Sequence, residues 1–206
     1  MTGIVNYGAG NIHSVFTAVK TCGEEPFVIE KAADLKKAAI VILPGVGAFA
    51  DGMKSLTESG IIEPLITGIK EGKPFLGICL GLQLLFSHSE EGSCGGFGLI
   101  KGGVKKFSFA DRAFRIPHMG WNRVKISSPG ETLFKNIPDC EYFYFAHSYY
   151  PAPENRRVII GETFYGNEFV SAVRRENIAG VQFHPEKSGD SGILFLKNFL
   201  EGKWLR

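Results

Sequence analysis

Two short runs of this sequence are apolar without interruption, and they constrain the fold more than any other feature. They are Ala39-Ile40-Val41-Ile42-Leu43 and Phe75-Leu76-Gly77-Ile78. A strand with one face in water alternates apolar and polar residues, whereas a strand covered on both faces is apolar throughout. Amphipathic stretches such as Ile12 to Val19 lie between the runs of the first half. The pattern predicts a three-layer α/β fold, with a mostly parallel central sheet, helices on both faces, and active groups at the carboxyl ends of the strands.

Downstream of about Gly98 the sequence alternates strand-like segments with turn residues. The segments are Val104 to Phe107, Asn122 to Ile126, Tyr142 to Phe145, Val158 to Ile160, Glu168 to Val173 and Ile178 to Gln182. They predict antiparallel strands added to the parallel core. Ile193 to Leu200 has the apolar spacing of a closing helix. The chain has 206 residues, with no linker or internal repeat, so we expect a single domain spanning residues 1–206.

Composition and charge narrow the classes of partner. Apolar residues make up 44% of the chain, charged residues make up 21%, and the net charge of +2 is spread along the sequence. Neither a nucleic-acid-binding patch nor a membrane-spanning run is present, and the N-terminal residues do not resemble a secretory signal. The four cysteines are far apart and lack zinc-ligand spacing. We therefore expect a cytoplasmic protein with free thiols, no metal or cofactor, and small-molecule or protein partners.

The segment Gly77-Ile78-Cys79-Leu80-Gly81 follows an apolar run and indicates a nucleophile elbow. Such a strand-turn-helix needs small flanking residues because its turn is tight, and it projects the central side chain from the sheet edge. Leu82, Leu84, Leu85 and Phe86 are predicted to be the apolar positions of a short helix. The free N–H groups at a helix start favour the thiolate form of a cysteine. The alternative is a buried cysteine in a glycine-rich turn.

A base for this thiol is predicted in Val181-Gln182-Phe183-His184-Pro185-Glu186. In extended chain the side chains of residues i and i+2 share a face, and Pro185 restricts His184 to extended geometry. Glu186 can then orient the imidazole of His184, which a nucleophilic thiol needs within about 3 Å. The alternative is an ordinary turn.

The glycine-rich segment Leu43-Pro44-Gly45-Val46-Gly47 comes directly after a predicted central strand. Glycines let a backbone approach a ligand closely and present N–H groups to a developing oxyanion. An ordinary strand-to-helix turn would have the same composition.

These three segments, in this order, resemble those of the class I (triad) glutamine amidotransferases, and the resemblance covers essentially the whole chain. It implies a flavodoxin-like fold and a reaction in which Cys79 attacks the side-chain carboxamide of L-glutamine. His184 would pass the proton to departing ammonia, Glu186 would orient His184, and a glutamyl thioester would then be hydrolysed. The implied oxyanion donors are the backbone N–H groups of Val46 and Leu80. The implied glutamine contacts are Gly47, Gln83, Glu91, Ser148 and Tyr149.

Within that family, three further motifs look like the glutaminase subunit of imidazole glycerol phosphate synthase. They are Asn6-Tyr7-Gly8-Ala9-Gly10-Asn11, Pro117-His118-Met119-Gly120-Trp121-Asn122 and His147-Ser148-Tyr149-Tyr150. The resemblance implies a heterodimer with a β/α-barrel cyclase subunit, which uses the ammonia to make imidazole glycerol phosphate and an aminoimidazole carboxamide ribotide. No synthase domain is recognisable in these residues, so a glutaminase of this kind needs such a partner. The implied partner-facing residues are Asn11, Met119, Trp121, Tyr144 and Lys187.

Three alternatives stay open at the level of sequence. Ser87-His88 and Gly189-Asp190 depart from the family pattern and leave room for a paralogue that feeds another synthase, such as a nucleotide-sugar enzyme. A cysteine peptidase or esterase would use the same elbow on other acyl groups. A subunit with an inert pocket would bind its partner without catalysis.

Overall fold

The computed structural model describes residues 1–111 and 113–205. Its α-helices are α1 (Ile12–Thr21), α2 (Phe49–Glu58), α3 (Ile62–Lys70), α4 (Leu80–Gln83) and α5 (Gly189–Leu200). Its strands are β1 (Thr2–Val5), β2 (Pro26–Ile29), β3 (Ile40–Gly45), β4 (Phe75–Cys79), β5 (Phe86–Ser89), β6 (Ile100–Lys106), β7 (His118–Ile126), β8 (Glu141–His147), β9 (Tyr149–Pro153), β10 (Ile159–Tyr165), β11 (Asn167–Arg175) and β12 (Ile178–Val181). Short 3₁₀ helices cover Ala32–Lys37, Thr132–Phe134, Arg156–Val158, Pro185–Lys187 and Lys203–Leu205.

The main sheet has nine strands in the order β2-β1-β3-β4-β12-β11-β10-β7-β8. The neighbouring strands from β2 to β12 run parallel. From β12 to β8 each pair of neighbours is antiparallel. Strands β5, β6 and β9 form a separate three-stranded sheet. The prediction of a parallel core extended by antiparallel strands is confirmed.

Helices cover both faces of the parallel region. Successive residues of β3 alternate between the faces, so that Ile42 joins the apolar cluster beneath α1 and α5, while Val41 and Leu43 join the cluster beneath α2 and α3. All three side chains are fully buried. Burying such a side chain contributes about 1.5–3 kcal/mol, which is why a strand covered on both faces is apolar at every position.

The prediction for the segment after Cys79 is wrong in one respect. Helix α4 ends at Gln83, and Phe86 is the first residue of strand β5 rather than part of the helix. The carbonyl groups of Leu84 and Leu85 accept hydrogen bonds from the N–H groups of Phe97 (2.8 Å) and Ile100 (2.9 Å). Partners distant in sequence therefore take the carbonyls that a longer helix would use.

The second half of the chain agrees with its predicted strands to within a few residues. Strands β6 and β7 begin earlier than predicted and β10 ends later, and Val158 ends a 3₁₀ helix, so that β10 begins at Ile159. Among the helices of residues 1–111 and 113–205, none is both long and apolar enough to cross a membrane.

Candidate active site

Three loops meet at the carboxyl ends of the adjacent parallel strands β3, β4 and β12. Gly45 at the end of β3 lies opposite Cys79 at the end of β4, and Val181 at the end of β12 lies opposite Ile78. The glycine-rich loop, the cysteine elbow and the His-Pro-Glu segment are therefore neighbours in space. This is the edge at which open parallel sheets bind ligands.

Cys79 stands at a strained turn between β4 and α4. Its φ of 54° and ψ of −107° are rare for a residue with a side chain, and such a conformation costs about 1–3 kcal/mol. A Cβ atom on Gly77 would lie 2.5 Å from the carbonyl oxygen of Gly81, and one on Gly81 would collide with the carbonyl oxygen of Leu43. Both flanking glycines are thus required by close backbone contacts, as a nucleophile elbow needs.

His184 and Glu186 form a buried pair beside the elbow. His184 Nδ1 lies 2.9 Å from Glu186 Oε1, and their side chains are 4% and 2% exposed. Because a carboxylate only accepts hydrogen bonds, Nδ1 carries the proton and Nε2 is left as the basic atom. Within the described part of the chain, Nε2 has no hydrogen-bond partner. It is therefore free to take a proton from a thiol.

The geometry of this pair differs from the sequence expectation in one detail. His184 is extended, with φ −101° and ψ 94°, but Pro185 to Lys187 form a 3₁₀ helix. Glu186 thus reaches the imidazole through a helical turn rather than along a strand. The N–H of His184 donates to the carbonyl of Tyr144 (2.8 Å), and the Ser188 hydroxyl donates to the carbonyl of His184 (2.6 Å). These bonds hold the backbone of His184 against strand β8.

The electrostatic surroundings favour a protonated His184. Burial by itself lowers the pKa of the His184 imidazole, but the neighbouring Cys79 sulfur and the Glu186 carboxylate outweigh burial and raise the pKa well above its ordinary value. Cys79 is therefore near enough to interact with the imidazole. Both neighbours therefore favour a positive charge on the imidazole.

A cavity of about 280 Å³ opens above Cys79. Its lining is Val46, Gly47, Cys79, Leu80, Gln83, Glu91, Pro117, Met119, Ala146, His147, Ser148 and Tyr149. Every residue that the resemblance implied as an oxyanion donor or a glutamine contact is in this lining. His184 and Glu186 are not in this lining.

Individual lining residues already make contacts within the protein. Gln83 is buried rather than exposed on its helix, and its Nε2 donates to the carbonyl of Tyr149 at 3.1 Å. The carboxylate of Glu91 accepts the N–H of Phe49 at 2.8 Å and so caps the start of α2. Val46, by contrast, is 44% exposed. The side chains of Gln83 and Glu91 are therefore fixed by hydrogen bonds, whereas Val46 lies at the solvent-exposed edge of the cavity.

Among the residues expected to face a partner, Met119 is part of the cavity lining. Met119 and Trp121 are 67% and 56% exposed on β7. Trp121 packs edge-on against Tyr144, and the ammonium of Lys187 lies 5.8 Å from the Tyr144 ring centroid. Asn11 is exposed at the start of α1, where its side chain accepts the N–H of Ser14.

Sequence reasoning left several site residues without a role, although all of them except Ala146 lie in segments that it singled out. Pro117, Ala146 and His147 line the cavity. Gln182 lies beneath it, with its Nε2 atom 3.5 Å from the Cys79 sulfur. The only sequence signal for Gln182 was its place two residues before His184, where alternation puts both side chains on one face.

Comparison with known proteins agrees with this geometry. The model of the family "Glutamine amidotransferase class-I" matches residues 4–202. The imidazole glycerol phosphate synthase subunit HisH of Desulfitobacterium hafniense (strain DSM 10664 / DCB-2) is 49% identical, over 100% of this chain and 95% of its own length. HisH of Neisseria meningitidis serogroup B is 44% identical, over 97% of this chain and 98% of its own.

The chain belongs to the class-I glutamine amidotransferases, and among them to the HisH family. It is therefore a glutamine amidotransferase. Solved structures of lower sequence identity share the fold. The crystal structure of a glutamine amidotransferase matches with a TM-score of 0.75 at 19% identity, over 97% of each chain. PurLQS from Thermotoga maritima matches with a TM-score of 0.75 at 20% identity, also over 97% of each chain.

Proposed function

We propose that this protein is the glutaminase subunit of an imidazole glycerol phosphate synthase. It hydrolyses L-glutamine at Cys79 and passes ammonia to a cyclase subunit in histidine biosynthesis. The observation that carries the proposal is the strained Cys79 elbow next to the buried His184–Glu186 pair, at the floor of a cavity. The HisH relatives, matched over almost their full length, support the choice of ammonia acceptor.

The reaction begins with the thiolate of Cys79. The sulfur attacks the carboxamide carbon of glutamine, and the negative charge moves to the former carbonyl oxygen. The N–H of Leu80, at the first position of α4, has no partner within that helix, and Val46 faces the same cavity. These two N–H groups stabilise the oxyanion, a contribution of roughly a hundredfold or more in rate per donor.

His184 moves the proton in both halves of the reaction. The imidazolium gives its Nε2 proton to the leaving ammonia as the carbon–nitrogen bond breaks, which leaves a glutamyl thioester on Cys79. Neutral His184 then takes a proton from water, whose oxygen attacks the thioester and releases glutamate. Glu186 accepts the Nδ1–H throughout and stabilises the positive form of the ring.

The substrate is held by the upper wall of the cavity. Gly47, Gln83, Glu91, Ser148 and Tyr149 combine backbone groups, an amide, a carboxylate and hydroxyls. This mixture suits the charged amino-acid end of free glutamine better than a peptide or ester chain. The cysteine peptidase or esterase reading is therefore not favoured.

The partner binds on the exposed apolar residues beside the cavity. Met119 and Trp121 lie on β7 next to Tyr144 and Lys187, and the main chain of Tyr144 also binds the N–H of His184. A cyclase docked there lies close to the place where ammonia is released. We also propose that the chain acts as one domain in the cytoplasm, where a reducing environment keeps its cysteines free.

The test is glutamate release from glutamine by this chain, alone and mixed with a cyclase subunit carrying its phosphoribulosyl substrate. Strong stimulation by the mixture supports the whole proposal. Activity that ignores the cyclase keeps the glutaminase and points to another acceptor, such as a nucleotide-sugar enzyme. Absence of glutamate release in both conditions contradicts the proposal.

A further inference from the structure

The side chain of Gln182 lies directly against the nucleophile. Gln182 follows strand β12 and is fully buried. Its Nε2 atom is 3.5 Å from the Cys79 sulfur, within hydrogen-bond distance for sulfur. The sulfur also lies 3.9 Å from the carbonyl oxygen of Ala146, which offers no proton. Gln182 is thus positioned to donate a hydrogen bond to the reacting atom.

The orientation of the Gln182 amide, that is, which of Oε1 and Nε2 faces Cys79, follows from a chain of hydrogen bonds that ends at the Tyr149 carbonyl. This oxygen only accepts, so the side chain of Gln83 must turn its NH₂ group towards it, at 3.1 Å. The second hydrogen of the same NH₂ group reaches Gln182 Oε1, also at 3.1 Å. Since Oε1 of Gln182 is used in this way, its NH₂ group is the one that faces Cys79.

A histidine pair stabilises the same carbonyl from the other direction. His147 Nδ1 lies 2.7 Å from the Tyr149 oxygen, so Nδ1 carries the proton and Nε2 accepts. His118 Nδ1 then donates to His147 Nε2 at 2.9 Å. The carbonyl of Tyr149 therefore accepts two hydrogen bonds and is held in place. An amide orientation that rests on this oxygen is not free to invert.

We infer that Gln182 is a further catalytic residue, whose side-chain N–H donates to the Cys79 thiolate. The inference rests on the proposed function, because it assigns a role at the same nucleophile. His184 supplies the exchangeable proton, whereas the amide of Gln182 supplies a donor that does not titrate. Such a donor stabilises the negative sulfur and holds it towards the cavity at every stage in which the thiolate is present.

The experiment measures alkylation of Cys79 by iodoacetamide as a function of pH, which requires no glutamine hydrolysis. The Cys79 peptide is quantified by mass spectrometry, which separates it from the other cysteines. Gln182→Met keeps a long unbranched side chain without the donor. Since a hydrogen bond to a charged group is worth about tenfold in an equilibrium, we expect the midpoint of the pH profile to rise by about one pH unit.

Gln182→Glu sharpens the test because it keeps an acceptor for Gln83 and replaces the donor with an oxygen. When ionised, this carboxylate repels the thiolate, so the midpoint should rise further than in Gln182→Met. The matched control is Ser171→Ala. Ser171 is fully buried, its carbonyl accepts the N–H of Gln182 at 2.8 Å, and its hydroxyl has no hydrogen-bond partner among the described residues. This control should keep the wild-type profile.

Wild-type profiles in both Gln182 variants would overturn the inference. If the variants do not fold, a second measurement uses the wild-type residue: the ¹H–¹⁵N side-chain resonance of Gln182 should shift between the native protein and Cys79→Ala. An unchanged resonance would equally reject the contact. Shifted profiles in a protein that releases no glutamate with the cyclase would keep the inference and reject the proposed function.

Discussion

The two halves of the main sheet divide the work of the site. The parallel half carries the residues that we propose to react, since Cys79 ends β4 and His184 follows β12. The antiparallel half supplies much of the cavity wall and the exposed aromatic surface, through β7, β8 and the turn into β9. Parallel strands converge at one edge and place loop residues together, whereas an antiparallel hairpin presents a broad face. We therefore expect chemistry and partner binding to be separable by mutation.

Substitution of the nucleophile should give the largest effect. Cys79→Ala removes the atom that forms the thioester, so glutamine hydrolysis should fall by at least about 10⁴-fold. Synthesis from added ammonia, measured with the cyclase present, should be unchanged because the partner performs that step. Loss of both activities would contradict the division between the two halves and the two-subunit scheme.

Alanine substitutions of His184 and Glu186 should lower the rate of glutamine hydrolysis by different amounts. His184→Ala removes the proton carrier, whereas Glu186→Ala removes only its orienting partner at 2.9 Å. Glu186→Ala should therefore retain about tenfold to a hundredfold more kcat than His184→Ala. The measurement is the rate of glutamate release at saturating glutamine and cyclase. Equal losses would show that the assigned roles are wrong.

Trp121→Ala tests the antiparallel half. Large aromatic side chains at interface centres contribute about 2 kcal/mol or more, so the cyclase concentration for half-maximal stimulation should rise about thirtyfold. The rate at saturating cyclase should change little. The control is Tyr142→Ala, an exposed aromatic residue two positions from Tyr144 on β8, where Arg123 rather than Trp121 is its cross-strand neighbour. A similar rise in the control would argue against this placement of the interface.

The last prediction concerns how the free energy of unfolding depends on pH, through two buried histidines of the antiparallel half. Burial lowers the pKa of His118 to about 4 and the pKa of His147 to about 3. Both rings are neutral in the folded protein. Their contribution to the free energy of unfolding is therefore fully present above the pKa that a histidine has in the unfolded chain, and it is lost as pH falls through the pKa values of the folded protein. Between pH 7 and pH 5 the folded protein should lose about 1–2 kcal/mol through His118. The pKa of His184 is shifted upward, so His184 does not add to this loss.

The measurement is the free energy of unfolding in urea at both pH values. His118→Gln should be less stable than wild type at pH 7, but its stability should fall less on acidification. His13→Gln, which changes an exposed histidine, should keep the wild-type difference. If His118→Gln also kept that difference, buried neutral histidines would not be the cause.

Local features of the sequence were enough to predict the parallel core and the elbow. Ile40 to Leu43 and Phe75 to Ile78 lie within central strands, and the glycines around Cys79 occupy the positions where a side chain would collide. The boundaries of α4 were not predictable in this way. Its end depends on the N–H groups of Phe97 and Ile100, which take carbonyls that the helix would otherwise use.

Short sequence motifs were enough to single out the residues that we propose to react: a cysteine between glycines, a histidine before a proline, and a glutamate beyond it. These features act through sterics over a few neighbouring residues, so they can be read from the chain. The surroundings of the Cys79 sulfur depend instead on contacts between distant segments. Gln83 and Gln182 are 99 residues apart, and only the sheet register and the packing of α4 bring their amides together. The orientation of the donor at Cys79 depends on a carbonyl 66 residues from Gln83, and such long-range contacts leave no periodic signal in sequence.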